Sequence, residues 1–261
     1  VADDLDMVTG TFKGTFLGGG HTSTQNQNSR PLFETVGEEA KVTQLNVAGR
    51  FGTLGNPSQY GNAAIAMLNL GTIENVEVNC PLQTTVSRDL VLGGIAAQNG
   101  GTIKDCVNKG DAIVTVHAGK TILTCIGGGI AAYGNEIAGT GPKNGVPYAG
   151  TKAHAGRFVN CSNRGAVQVS VTGDGVGVSS SSGSVAGLSC FGGICGMVMC
   201  DNAVFDHCNN YAAVSRTSVS ESSCAGASAI GGILGSCTGL FNDWTDRGAT
   251  LCYNTDTGYQ L

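Results

Sequence analysis

Four cysteines and one histidine in this chain have the atoms of a metal site: Cys190, Cys195, Cys200, Cys208 and His207. Structural zinc sites usually draw on CxxC-like pairs that hold one ion close to each sulfur. The spacings here are five, five and eight residues, which is unlike that pattern. We therefore interpret these cysteines as packing residues, and the sequence predicts no metal and no cofactor.

Carboxylates could perform acid–base chemistry on a glycosidic bond. The position just before a repeated cysteine carries Asn75, Asp105, Asn160 and His207, and on paired strands these would form an outward polar stripe. Glycoside cleavage needs two carboxyl groups that face each other across about 5–9 Å. Only Asp105 and Asp206 are acidic near the stripe, and no Arg or Lys cluster accompanies them. The sequence predicts no catalytic residue and keeps a polysaccharide lyase or glycoside hydrolase as an alternative.

Aromatic and charged side chains are concentrated in two insertions, and together they have the composition of a sugar-binding groove. Rings pack against the apolar faces of sugars, and amide and carboxylate groups read the hydroxyls. An alternative is that the tryptophan caps the open end of the stack. The candidate ligand-binding residues are Phe241, Asp243, Trp244, Asp246 and Arg247 of 238–248, and Tyr148 and His154 of 134–155.

A repeated phrase reveals the elements that must position these side chains. Residues 93–110 read GGIAAQNGGTIKDCVNKG, related phrases begin at 128, 192 and 231, and weaker copies occupy 64–79 and 32–49. A period of about 30–60 residues that keeps its apolar and turn positions is typical of stacked repeats. We predict one domain over 1–261, with an entry or cap over 1–31, stacked coils over 32–237, and a last coil with its cap over 238–261.

Two positions of the repeat predict a structural ladder of cysteines and asparagines. In weaker copies the cysteine position holds Val76 and Leu45, so it is an apolar core position where a free thiol packs well. The asparagine two residues later points to the same side of the strand. A buried amide costs a few kcal/mol unless it is paired, and stacking pairs it. The ladder residues are Cys106, Cys161, Cys208 and Cys252 with Asn108, Asn163, Asn210 and Asn254.

Helical periodicity is absent, and each unit reads as three short strands joined by Gly/Asn corners. In 92–116 these strands are LGGIAAQ, GTIKDCVN and DAIVTV, which describe one turn of a triangular coil. Insertions interrupt the period at 134–155, 173–189 and 238–248. The first and third fall between the first and second strands, so they should leave one corner about 10 Å apart and could wall a groove.

The phrase GGIAAQNGGTIKDCVNKGDAIV resembles the GLUG-type repeat, whose pattern is GGIAGxNxGTIxNCxNxGxV. FKGTFLGGGHT at 12–22 is similar to the FxGTFDGNGHTI phrase that opens such arrays, with Leu17 in place of Asp. The resemblance implies a surface or secreted, adhesive protein of anaerobic gut bacteria and transfers no catalytic residue. The fold class it implies is all-β, a single right-handed parallel β-helix (solenoid) of roughly five to six coils with loop insertions.

Composition excludes two classes of partner. Charged residues make up 13% of the chain, the net charge is -5 and no run of Lys or Arg occurs, so we predict no nucleic acid partner. No apolar stretch approaches the ~20 residues of a membrane span, so we predict no transmembrane segment. Low charge with abundant Gly, Ser, Thr and Asn suits an extracellular or cell-surface location.

The sequence therefore predicts a non-enzymatic, adhesin-like binding module for a glycan or for a host or partner protein. Besides the carbohydrate-active enzyme, a structural spacer in a longer surface protein remains an alternative. The identity of the ligand, the oligomeric state and the pairing of the eleven cysteines stay open.

Overall fold

Parallel β-strands make up the ordered framework of this protein. The computed structural model describes residues 7–26, 30–50, 61–86, 89–119, 125–136, 154–173, 189–200, 202–218, 228–237, 249–250 and 253–254. These residues contain no helix, and therefore none that is long and apolar enough to span a bilayer. Among the described residues the paired strands are parallel, as β10 is with β6 and β15, and the one antiparallel contact is an isolated bridge between Asn135 and Ala155. The predicted all-β, parallel arrangement is confirmed.

Sheet I takes one strand from each of seven repeat units. Its strands pair in the order β1 (Val8–Phe12), β4 (Phe33–Val36), β6 (Ala66–Asn69), β10 (Ala96–Asn99), β15 (Ala131–Tyr133), β20 (Cys195–Val198) and β25 (Leu234–Cys237).

Sheet II has twelve strands, because most units contribute two short strands to it. They are β2 (Thr15–Leu17), β3 (Thr22–Asn26), β5 (Lys41–Arg50), β7 (Thr72–Asn79), β11 (Thr102–Lys104), β12 (Val107–Asn108), β16 (Arg157–Val159), β17 (Ser162–Asn163), β21 (Val204–Asp206), β22 (Asn209–Asn210), β26 (Ala249–Thr250) and β27 (Tyr253–Asn254).

Two four-stranded sheets complete the framework. Sheet III contains β8 (Leu82–Val86), β13 (Ala112–Gly119), β18 (Val167–Gly173) and β23 (Val214–Ser218). Sheet IV contains β9 (Leu90–Gly93), β14 (Cys125–Gly128), β19 (Ser189–Gly192) and β24 (Ser228–Gly231).

The expected triangle of three strands per unit is wrong, because the first predicted strand is two. In residues 90–119 the chain runs through β9, β10, β11 with β12, and β13, and so visits four sheets. It turns at Gly94 and Ile95, between the sheet IV strand and the sheet I strand. A Cβ at Gly93 would lie only 1.8 Å from the carbonyl oxygen of Ala96, so the turn is too tight for any other residue at this position.

The extra turn divides the buried interior into separate clusters. The largest cluster lies between sheets I and II and includes Ala96, Ile103 and Phe158. A second lies between sheets III and IV and includes Val114 and Phe191. A third cluster joins sheet IV to sheet I through its own set of contacts: Ala63, Val91, Ala97, Ile126, Ala132, Tyr133, Cys190 and Met197. The inner strands of sheets I and IV are thus buried on both faces, as parallel strands without amphipathic alternation require, whereas β1 at the end of sheet I is exposed.

Register keeps like residues over like residues along each sheet. Ile73, Ile103, Phe158 and Phe205 pair successively in sheet II. The rings of Phe158 and Phe205 stack at 4.9 Å between centroids and are nearly coplanar, with 8° between planes. Repetition in the sequence therefore becomes a continuous apolar column, whose burial supplies the main favourable free energy of folding.

Candidate functional site

The two aromatic insertions leave the framework at equivalent points. The first leaves between β15 and β16, and the second between β25 and β26. In sheet I only β20 separates β15 from β25, and in sheet II only β21 separates β16 from β26. Two strand spacings correspond to about 10 Å. The described ends of both insertions therefore lie along one edge, where sheet I passes into sheet II.

Backbone pairing closes the base of the first insertion. Asn135 and Ala155 form the antiparallel bridge, and the amide of Glu136 donates to the carbonyl of His154 at 3.0 Å. The amide of Met199, from the next unit, donates to Oδ1 of Asn135 at 2.8 Å. The chain thus leaves and re-enters the framework at a fixed pair of residues.

The imidazole of His154 lies between two carboxylates at the point where the first insertion joins the framework. Nδ1 of His154 lies 2.5 Å from Oε2 of Glu136, and its Nε2 lies 3.6 Å from Oε1 of Glu38. Glu38 belongs to the turn between β4 and β5, three sheet I strands before β15. The base of the insertion therefore lies back over the edge toward the first units. We call Glu38, Glu136 and His154 the edge cluster.

Gly100 makes room for the edge cluster. A Cβ on Gly100 would lie 2.8 Å from Cβ of His154 and 3.1 Å from Cβ of Glu136. The His154 side chain keeps 47% of its surface exposed, and that of Glu38 keeps 69%. The cluster thus offers carboxylate oxygens to solvent beside the insertion, which can accept hydrogen bonds from a polar ligand.

Most of the predicted ligand-binding residues lie outside the residues that the structure describes. These are Tyr148, Phe241, Asp243, Trp244, Asp246 and Arg247. Of the predicted set the structure describes His154 and adds Glu38 and Glu136, which the sequence analysis did not single out. Glu136 was detectable as the acidic residue at the start of the insertion, whereas Glu38 lies more than 100 residues from His154 and gave no signal.

Three of the predicted ladder asparagines, Asn108, Asn163 and Asn210, lie in one buried column. Nδ2 of Asn108 donates to Oδ1 of Asn163 at 2.9 Å, and Nδ2 of Asn163 donates to Oδ1 of Asn210 at 2.9 Å. Each amide also bonds the backbone two residues on, as Nδ2 of Asn163 does to the carbonyl of Gly165 at 2.8 Å. Asn254 follows in β27, which pairs with β22.

The ladder cysteines are buried thiols. Cys106, Cys161 and Cys208 are fully buried, and Cys106 and Cys161 are free thiols, whereas Cys252 lies outside the described residues. The thiol of Cys106 donates to the carbonyl of Lys104 at 3.0 Å. Burial removes water from the thiolate and raises the pKa of Cys106 to about 12. Such a thiol is protonated at neutral pH and is a poor nucleophile or metal ligand.

Two cysteines of the candidate metal set also pack in the interior. Cys190 and Cys195 are buried, and burial raises the pKa of both thiols. Within the described part of the chain no three Cys, His, Asp or Glu side chains come together in a way that could hold a metal ion.

The polar stripe has a conformational cause. Gln44, Asn75, Asp105, Asn160 and His207 all adopt left-handed backbone, with φ of 55°, 52°, 52°, 52° and 51°. Asn and Asp tolerate this region better than other residues that carry a Cβ. The side chains also bond one another: Nδ2 of Asn160 donates to Oδ1 of Asp105 at 2.6 Å. The backbone therefore explains the polar residue types of the stripe without any catalytic role.

The structure contains a second asparagine ladder that was not predicted from the sequence. Nδ2 of Asn69 donates to Oδ1 of Asn99 at 2.8 Å, at the ends of β6 and β10. The signal was present in the sequence, because the phrases IAMLN and IAAQN end in asparagine at the same place of the repeat. Both ladders donate in the same direction along the stack.

Comparison with known proteins adds no relative. No family model matches the chain, no curated protein matches it, and no solved structure matches it. The function must therefore be argued from the residues.

Proposed function

We propose that this protein is a non-enzymatic binding module that holds two insertions on a stiff scaffold and uses them to bind a glycan or a partner protein at a bacterial surface. The resemblance of its repeat to the GLUG type supports the location and the adhesive role. The observation that carries the binding role is the fixed base of the first insertion.

The scaffold in this proposal is one right-handed parallel β-helix, in which sheets I to IV are the faces of a continuous coil. The order IV, I, II, III recurs in successive units, and each strand pairs with its counterpart in the next unit. Parallel strands joined by a crossover are right-handed in about 98% of cases, which supports this hand.

The fixed attachment of the first insertion favours binding because the insertion then loses less conformational entropy when a ligand binds. Asn135, Ala155 and the edge cluster restrain both ends of the insertion before any ligand arrives. Less ordering on association leaves more of the contact energy as affinity. In this proposal Trp244, Phe241 and Tyr148 supply ring faces, and Asp243, Asp246, Arg247 and His154 supply polar contacts.

A glycan-array screen tests the proposal. We expect the intact protein to bind at least one class of glycan, and Trp244→Ala to weaken that binding at least tenfold while the fold survives. Tyr211→Ala is a matched control, since Tyr211 is an exposed aromatic residue that follows β22, away from the insertions. The centre of its ring lies 5.4 Å from the guanidinium carbon of Arg164. It should bind like the parent.

Two results would contradict the proposal. Equal losses for Trp244→Ala and Tyr211→Ala would remove the insertions from the binding site. A well-folded protein that binds neither glycans nor host-cell proteins would favour the structural spacer.

A further inference from the structure

The outward face of sheet III carries no charge in its described residues. The inner strands of sheets I and IV are buried on both sides, whereas strands of sheets II and III alternate buried and outward side chains. Eight side chains of sheet III alternate with the buried ones and point outward, in two columns: Gln83, Ile113, Gln168 and Ser215, and Thr85, Thr115, Ser170 and Thr217. All eight are neutral, and seven carry a hydroxyl or an amide.

One of these columns is a regular row of hydroxyl groups. Thr85, Thr115, Ser170 and Thr217 are paired in register on four successive strands. Strand spacing places the hydroxyls about 4.8 Å apart and makes the row about 14 Å long. Oγ of Ser170 and Oγ1 of Thr217 lie 2.9 Å apart and share a hydrogen bond. Each hydroxyl keeps further donor or acceptor capacity for a ligand.

Sheet II has the opposite character. Its outward side chains form ion pairs between neighbouring strands, such as Lys41 with Glu74 at 2.6 Å. Lys109 with Glu77, also at 2.6 Å, is a second pair. The absence of charge from the described outward side chains of sheet III is therefore a property of that face and not of every surface of the molecule, and the one charged residue of these strands, Arg216, alternates with the outward positions Ser215 and Thr217.

The size of the face excludes a second protein copy as a stable occupant. Four strands of five residues cover roughly 20 Å by 16 Å, or about 300 Å² per partner. A stable protein–protein interface needs about 800 Å² per partner. The face is also unsuited to a charged polymer, because its described outward side chains offer no opposite charge. A neutral, linear, hydroxyl-bearing chain fits both the length and the chemistry.

We propose that the outward face of sheet III binds an uncharged linear polysaccharide, whose hydroxyls bond the row Thr85, Thr115, Ser170 and Thr217 along the stack. This site is separate from the insertions and does not depend on them. Because each hydroxyl contact is weak in water, affinity should increase with the number of sugar residues until the oligomer spans the four strands.

The test uses isothermal titration of the full chain with β-1,4-linked gluco-, manno- and xylo-oligosaccharides of two to six residues. We expect at least one series to bind with an affinity that rises at least tenfold from the shortest to the longest oligomer. Ser170→Glu places a charge in the row and should weaken this binding at least tenfold. Ser162→Glu is the matched control, because Ser162 lies on β17 of sheet II, and it should change the affinity by less than twofold.

Thr115→Lys repeats the test with the opposite charge and guards against a fold defect of Ser170→Glu, which circular dichroism would detect. Failure of all three series to bind at millimolar concentration overturns the proposal, as does equal binding by Ser170→Glu. Tighter binding of oligogalacturonate than of the neutral series also overturns it. Trp244→Ala should leave this binding intact, so failure of the insertion site and failure of this face are distinguishable.

Discussion

At the scale of single residues, buried asparagine side chains are stabilised by hydrogen bonds to one another and to the backbone. Asn163 donates to Asn210 and accepts from Asn108 inside the protein, and each of these amides gains backbone partners as well. The neighbouring glycine is part of the arrangement, since a Cβ on Gly129 would lie 2.3 Å from Cγ of Asn163. In the unit where Ala64 replaces that glycine, the ladder position holds Val78. Glycine and asparagine therefore occur together because the amide occupies the space of a Cβ.

Replacing the central ladder residue should be costly. Asn163→Ala removes both inter-asparagine hydrogen bonds and leaves two buried amide groups with fewer partners, so we expect a loss of about 2–4 kcal/mol in the free energy of unfolding. Asn209→Ala is the control, since Asn209 is only partly buried and its amide donates to the carbonyl of His207 at 3.3 Å. It should cost less than about 1 kcal/mol. Urea unfolding measures both, and similar losses would contradict the ladder's contribution.

Buried thiols should make stability fall at alkaline pH. Burial raises the pKa of Cys80, Cys106 and Cys125 from 9.0 to about 12, so the folded state keeps protons that the unfolded state releases above pH 9. The contribution is complete below pH 9 and is lost as pH rises toward 12. At pH 10 each thiol should lower the free energy of unfolding by roughly 1 kcal/mol.

Cys106→Val isolates one of these thiols, because Val76 occupies the equivalent place in the preceding unit. We expect the variant to lose roughly 1 kcal/mol less than the parent between pH 8 and pH 10, in urea unfolding under reducing conditions. Identical pH dependence in both proteins would show that Cys106 ionises equally in the folded and unfolded states.

At the scale of elements, tight turns and pinned insertions set the geometry. The Gly93–Gly94 pair ends β9 and redirects the chain into sheet I, which one continuous strand could not do. The other edge of sheet I, where it passes into sheet II, releases the first insertion, and Glu136, His154 and Glu38 hold the two ends of that insertion across three strands of sheet I. An insertion is therefore positioned by side chains from a unit far away in sequence.

Removing the histidine of the edge cluster should loosen the first insertion. His154→Ala deletes both contacts to carboxylates, so tryptic cleavage at Lys143 or Lys152 should become several-fold faster than in the parent, because local opening needs less free energy. His207→Ala is the matched control, since it removes another exposed histidine–carboxylate pair, with Asp206 at 2.5 Å, that is remote from the insertion. An equal increase in both variants would mean that the edge cluster does not restrain the insertion.

At the scale of the whole molecule, two main clusters share one backbone. Phe158 belongs to the cluster between sheets I and II, and Phe191 belongs to the cluster between sheets III and IV. Each complete unit contributes strands to both clusters. Unfolding of the strands in one cluster therefore also disrupts the strands that line the other. Nearest-neighbour contacts between units then link the whole stack.

Core truncations should therefore act on one unfolding transition. Phe158→Ala and Phe191→Ala each remove a fully buried ring and should each cost about 3–5 kcal/mol. Calorimetry should give a single transition at a lower Tm for both. Leu17→Ala, at a side chain that is 63% exposed, should leave the Tm nearly unchanged. Two separate transitions, with only one of them shifted in each variant, would show that the clusters unfold independently.

The repeated phrase by itself determined the all-β, parallel arrangement, because apolar and turn positions that recur at a fixed place can be buried together only by stacking like strands. It also indicated the ladder, since Asn108, Asn163 and Asn210 recur where a lone buried amide would be costly. Only the tertiary structure decided the cross-section: the glycine pair at 93–94 recurs in the sequence, but only the structure shows that backbone groups approach it closely and that the chain turns there into a second sheet. It also decided the edge cluster, because successive strand pairing from β4 through β6 and β10 to β15 brings Glu38 and His154 together from units that are far apart in sequence.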